Sequence, residues 1–105
     1  MAFDLMVGKS SKVKDSPEIV GSFDFHELPA ATRLLKRVDS FFLHRVSNLF
    51  DDQVFSLKEV DQALDHLLPL LKEKLHADEQ ALLHKLISVL AYAKAKQQSL
   101  FGVAD

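Results

Sequence analysis

The chain has 105 residues, is 48% hydrophobic and 27% charged, carries a net charge of −2 and contains no cysteine. That length suits one domain, 1–105, burying roughly 65% of its unfolded surface. The composition excludes disulfides, thiolate metal sites and a thiol nucleophile, and a weakly acidic chain has no global attraction to nucleic acid or an anionic membrane. No apolar run approaches the ~18 residues of a bilayer span. The opening Met1-Ala2-Phe3-Asp4 lacks the basic start and long apolar core of a secretory signal, so a cytoplasmic protein is expected.

Residues 2–7 alternate, with Phe3, Leu5 and Val7 on one side and Asp4 and Met6 on the other. Residues 19–25 alternate too: Ile19, Phe23 and Phe25 face one way, Val20, Ser22 and Asp24 the other. Period two with aromatic and β-branched residues predicts two half-buried strands, most economically an antiparallel hairpin. Gly21 interrupts the apolar face of the second, which points to a bulge or a close backbone approach. Two strands are marginal alone, so they must rest on helices. The connection through Gly8-Lys9-Ser10 is polar and long. A phosphate-binding loop would need glycine at the position of Phe3, inside the strand, so a solvated loop is the reading taken.

Pro29 suits a first helical position. After it Leu35, Val38, Phe42, Val46 and Leu49 share one side of a helical wheel, predicting a helix over 29–50. Asp39-Ser40 is a candidate break, and the alternative is a third strand over 40–46. Val54-Phe55 staples the entry to the next helix, 56–75, which opens on the capping box Ser56-Leu57-Lys58-Glu59. Pro69 lacks an N–H and crowds the carbonyl of Asp65, so a kink or a break into two helices is expected there. A third helix over 78–98 begins with Asp78 and Glu79 and ends with Lys94 and Lys96, as the helix dipole favours. It should form an antiparallel pair with the second. The half-apolar tail from Ser99 is expected to dock on the core or on a second subunit. The fold class is therefore α+β, an N-terminal two-stranded hairpin packed on three amphipathic helices.

Four candidate sites follow. Glu73 and His76 have a Glu-x-x-His spacing, but a di-metal bundle needs a second copy and the chain has none. His26, His44, His66, His76 and His84 could form a ligand or metal site only by converging through the fold. Arg33, Lys36, Arg37 and His44 make a basic helix face, read as a solvated face, not a nucleic-acid footprint. Asp61, Asp65 and His66, like Asp4, Asp24 and His26, lie near one another, yet catalysis needs a cleft and shifted pKa values. Lastly, Leu43, Phe50, Leu70, Leu100 and Phe101 fall off the main stripes, and surplus apolar surface marks protein contacts.

The expected function is a non-catalytic protein–protein interaction module, a homodimer or a regulatory or immunity-type partner binder. It would act through apolar helix faces or a strand edge, with Leu70, Leu100, Phe101 and the basic face of Arg33, Lys36, Arg37 and His44 as interaction residues. No cofactor, metal, nucleic acid or membrane is expected. The alternative is a small-ligand or metal-binding protein using the hairpin mouth and the histidines.

Overall fold

The computed structural model describes residues 2–48 and 51–104. The fold is α+β. Strand β1 (Ala2–Gly8) turns through a short 3-10 segment at Val13–Asp15 into β2 (Glu18–Asp24). A 3-10 turn at Phe25–Glu27 leads into α1 (Leu28–Leu35), which is followed by α2 (Phe41–Val46), β3 (Gln53–Phe55) and α3 (Leu57–Leu67). A 3-10 stretch at Leu68–Lys72 connects to α4 (Ala77–Lys96), and β4 (Ser99–Ala104) ends the chain. The four strands form one antiparallel sheet in the order β2-β1-β4-β3. The N-terminal hairpin is as expected, but it is half of a larger sheet, and β1 and β4 are its inner strands.

All four helices contribute to one core against one face of that sheet. Phe3, Leu5, Val7, Phe23, Phe55 and Leu100 project from the strands into a cluster with Leu34, Phe42, Leu64, Leu86 and Leu90. Gly102 belongs to this inner face. A Cβ there would fall inside the ring of Phe3, so the close approach of β1 and β4 side chains depends on its absence. The tail does dock on the core, as a strand.

The segment expected as one helix over 29–50 divides in two. Ser40 is fully buried, and its hydroxyl accepts from the Leu43 N–H at 3.3 Å, capping α2. A side-chain acceptor for an orphan donor restarts the helix in a new direction. Residues Leu49 and Phe50 lie outside the described residues. The helix over 56–75 begins at its capping box: Glu59 N–H donates to Ser56 Oγ at 3.2 Å and Ser56 N–H to Glu59 Oε1 at 3.0 Å. It stops being α-helical just before Pro69, where the chain tightens to 3-10. α3 and α4 pack together, and Lys94 reaches Asp61 across them at 3.1 Å. No helix among the described residues is long and apolar enough to cross a membrane.

The β1–β2 register slips by one residue: Leu5 faces Gly21, but Met6 faces Ile19. One extra residue on β2, Val20, is thereby turned toward the core, and Ile19 is turned away from it. Ile19 therefore does not share the inner face with Phe23 as the alternation predicts. Phe25 has left the strand for the 3-10 turn and is exposed.

Candidate interaction surface

With the helices on one side, the sheet has an open face. Its residues follow from the register: Met6 pairs with Ile19 on β2 and with Phe101 on β4, and Phe101 pairs with Val54 on β3. Ile19, Met6, Phe101 and Val54 thus form a row of apolar side chains running across all four strands. Ile19 is 65% exposed and Val54 55% exposed. Phe101 is only 8% exposed, yet it is not part of the helix-backed core cluster, which places its ring on the opposite side of the sheet. Val13, almost wholly exposed, lines a hollow with Met6, Pro17 and Ile19 and extends the row past the β2 edge. One residue pair along, Asp4 faces Val103 and Ser22 on the same side.

Both free edges of the sheet are obstructed. β2 carries the bulge and is flanked by Glu18 and Asp24, devices that discourage edge pairing. At β3 the Arg45 guanidinium covers the edge: it donates to the Val54 carbonyl at 2.7 Å, to Gln53 Oε1 at 3.0 Å and to Glu59 Oε2 at 2.7 Å. It also lies 4.3 Å above the Phe55 ring. The Glu59 carboxyl is held below the usual range, first by the Ser56 N–H and then by Arg45.

The structure places the sequence-derived interaction residues elsewhere. Leu70 and Leu100 lie in the core cluster, so neither can present a surface, and Leu43 joins them. Of that group Phe101 is on the open face. Leu43, Leu70 and Leu100 are absorbed by the single core between the helices and a four-stranded sheet, which the hairpin alone did not imply. Most apolar helix residues are likewise turned inward, but Leu57, Leu68 and Leu71 remain exposed.

The basic face does gather, around a cleft of about 370 Å³ lined by Arg33, Lys36, Arg37, His76 and Glu79. The charge of Arg33 is matched by Asp78 and Glu79 of α4, and that of Arg37 by Glu73 in the connection before it. Arg33 Nε donates to Glu79 Oε2 at 2.6 Å and its Nη2 to Asp78, and Arg37 lies 3.9 Å from Glu73. Hydrogen bonding to Arg33 depresses the Asp78 carboxyl, and Asp78 and Glu79 in turn raise the Arg33 guanidinium. His44 is on α2, 3.6 Å from Asp39.

The five histidines do not converge. Among the described residues, one group has metal-compatible spacing, Asp24, His26 and Glu27. Both Glu27 oxygens already accept from Lys85 Nζ, at 2.7 and 2.6 Å, and Oε1 also accepts from the Asp24 N–H. His66 packs edge-on to Phe41 with its Nδ1 buried and without a hydrogen-bond partner, His76 precedes α4, and His84 is exposed on that helix. Asp61 is engaged by Lys94, and Asp65 is exposed. Neither carboxylate group forms a cleft with an oriented partner.

No family model, curated protein or solved structure matches this chain.

Proposed function

We propose that this chain is a non-catalytic protein–protein interaction module that self-associates through the open face of its sheet. The carrying observation is the cross-strand row Ile19–Met6–Phe101–Val54, half of which is exposed on the side away from the helices. Sheets that expose one face to water normally alternate to polar there, and this one does not in its central row. Exposed apolar residues brought together mark contacts with other chains, and here Ile19 joins the exposed Val13 around the hollow beside Met6. The strand edges are obstructed, and the helix faces are mostly buried, with Leu57, Leu68 and Leu71 left exposed on α3 and the 3-10 stretch after it.

The ligand or metal alternative has less support, because Lys85 fills the carboxylate that its histidine-containing group would need. The basic cleft carries Asp78, Glu79 and Glu73 among its cations, which favours a structural role over nucleic-acid binding.

Light scattering over a tenfold concentration range tests the proposal. The expected mass rises from the 11.8 kDa of one chain toward twice that value. Ile19→Asp with Val54→Asp, both at exposed positions, should hold it at one chain without lowering the melting temperature. A wild-type mass of one chain throughout overturns self-association.

A further inference from the structure

β4 is an inner strand, yet one short connection joins it to the other described elements: α4 ends at Lys96 and β4 begins at Ser99. Between them Gln97 has φ 55° and ψ 43°, in the left-handed region. The Gln97 N–H donates to the Lys94 carbonyl and the Gln98 N–H to the Ala93 carbonyl, each at 3.1 Å. Those two bonds make a Schellman turn, in which the left-handed position usually holds glycine and at times asparagine. A residue with a Cβ is disfavoured there by about tenfold. The Gln97 side-chain amide donates to the same Lys94 carbonyl at 2.9 Å, an exposed bond that water replaces readily. The local sequence asks for no turn, since Lys94-Ala95-Lys96-Gln97-Gln98 consists of good helix formers.

Continuing α4 through this stretch removes the left-handed residue. It also keeps the backbone donors paired, Gln97 to Ala93 and Gln98 to Lys94, in the ordinary helical pattern. Such a continuation carries β4 away from its own sheet and leaves β1 and β3 with bare inner edges. The segment that fits between them is the β4 of a second copy in the same state.

We infer that Gln97-Gln98 is a hinge through which two chains exchange β4. Each exchanged strand meets in its partner the contacts it makes at home. These are the full β1 and β3 registers, the Phe3 ring against Gly102 and the Asp52 carboxylate for the Ala104 N–H. Because those contacts are common to both forms, the hinge and the protein concentration decide between them. The exchange is independent of the open-face reading. Withdrawing an inner strand requires unfolding, so the exchanged pair forms on refolding at high concentration and survives dilution. Faces merely laid together separate on dilution by mass action.

The chain has no cysteine, so one introduced pair reports which chain supplies β4. Asp4 on β1 is opposite Val103 on β4, and residues so placed in an antiparallel pair lie within disulfide reach. Asp4→Cys/Val103→Cys is unfolded in urea with reductant and refolded at millimolar or micromolar concentration. Both samples are then brought to one low concentration, oxidised and run on a denaturing gel without reductant, with circular dichroism verifying the fold. Millimolar refolding should give chains linked as dimers, and micromolar refolding should close the bond within one chain. Adding Gln97→Gly should lower the dimer-linked fraction about fivefold or more, because glycine accepts the left-handed turn and weakens the continued helix. Adding Gln97→Val should raise it, because a β-branched residue fits a helix far better than a positive φ. Gln97 is exposed, so neither change touches the core. Bonds confined to single chains after both refoldings overturn the exchange, even where light scattering finds a dimer, which is then the face-to-face one. Dimer-linked fractions unmoved by either Gln97 substitution overturn the hinge.

Discussion

Arg33 on α1 and Glu79 in the first turn of α4, 46 residues apart, meet through Nε and Oε2 at 2.6 Å, and Glu79 is only 1% exposed. The other oxygen of Glu79 accepts the His76 N–H at 3.0 Å. One carboxylate therefore closes the start of α4 and docks α1 against it. Both contacts, the His76 N–H foremost, hold the Glu79 carboxyl below its ordinary 4.5. A depressed folded pKa adds stability that is complete above 4.5 and disappears as pH falls through the folded value. Urea midpoints at pH 7, 5 and 3 should fall on acidification, and Glu79→Gln should remove part of that fall. Arg33→Ala should lower the pH 7 midpoint more than Arg33→Ala/Glu79→Leu does, because the single variant strands a buried charge.

Gly102→Ala should destabilise by about 3 kcal/mol, the upper part of the usual cost of overpacking a core. The added methyl meets the Phe3 ring, which is itself fully buried. At Gly21 the nearest atom to a Cβ would be Val89 Cγ2 at 3.2 Å, a side-chain methyl that can yield. Gly21→Ala should cost clearly less in the same urea titration. Equal costs would refute the packing argument.

Arg45→Lys should not preserve the β3 edge. An ammonium cannot reach Val54, Gln53 and Glu59 together or stack on Phe55 as the planar guanidinium does. A loss of about 1–2 kcal/mol is expected from the hydrogen bonds alone. Amide exchange in 53–55 should accelerate more than in β1. Uniform acceleration would mean that Arg45 supports the whole fold and not that edge.

Zn²⁺ at tenfold molar excess should leave the melting temperature unchanged at pH 7.5. Lys85 and the Asp24 N–H compete for Glu27, and His26 is the one imidazole beside it among the described residues. A stabilisation abolished by His26→Ala would restore the metal reading.

Much of the fold was legible because its local signals were strong. Ser56 and Glu59 announced α3, Pro69 announced its end, and the alternation around Phe3 and Phe23 announced the hairpin. Ser40 was visible as a break, but a continuous apolar stripe on both sides of it argued for one helix. β4 was hidden for a different reason. An inner strand shows apolar residues to both faces, so Leu100 and Phe101 read as a run and not as an alternation. β3 is three residues long and has no period to detect. Those two omissions misplaced the surface, because the apolar residues left over by a two-stranded sheet are core residues of a four-stranded one. The bulge that exposes Ile19 could be located by Gly21, but its consequence for side-chain direction needs the pairing register.

The pairing of Phe3 with Ala104 joins segments at opposite ends of the sequence. Loop closure over such a span opposes early pairing, whereas α3 and α4 meet across a short connection. Refolding should therefore gather the helices first and seat β4 beside β1 late, with β3 able to add only once β4 is in place. Until that last seating, the hairpin's second edge is bare and Phe101 has no sheet to belong to, so the step expected to be slowest in forming the domain is also the step that completes the side of the sheet turned away from the helices.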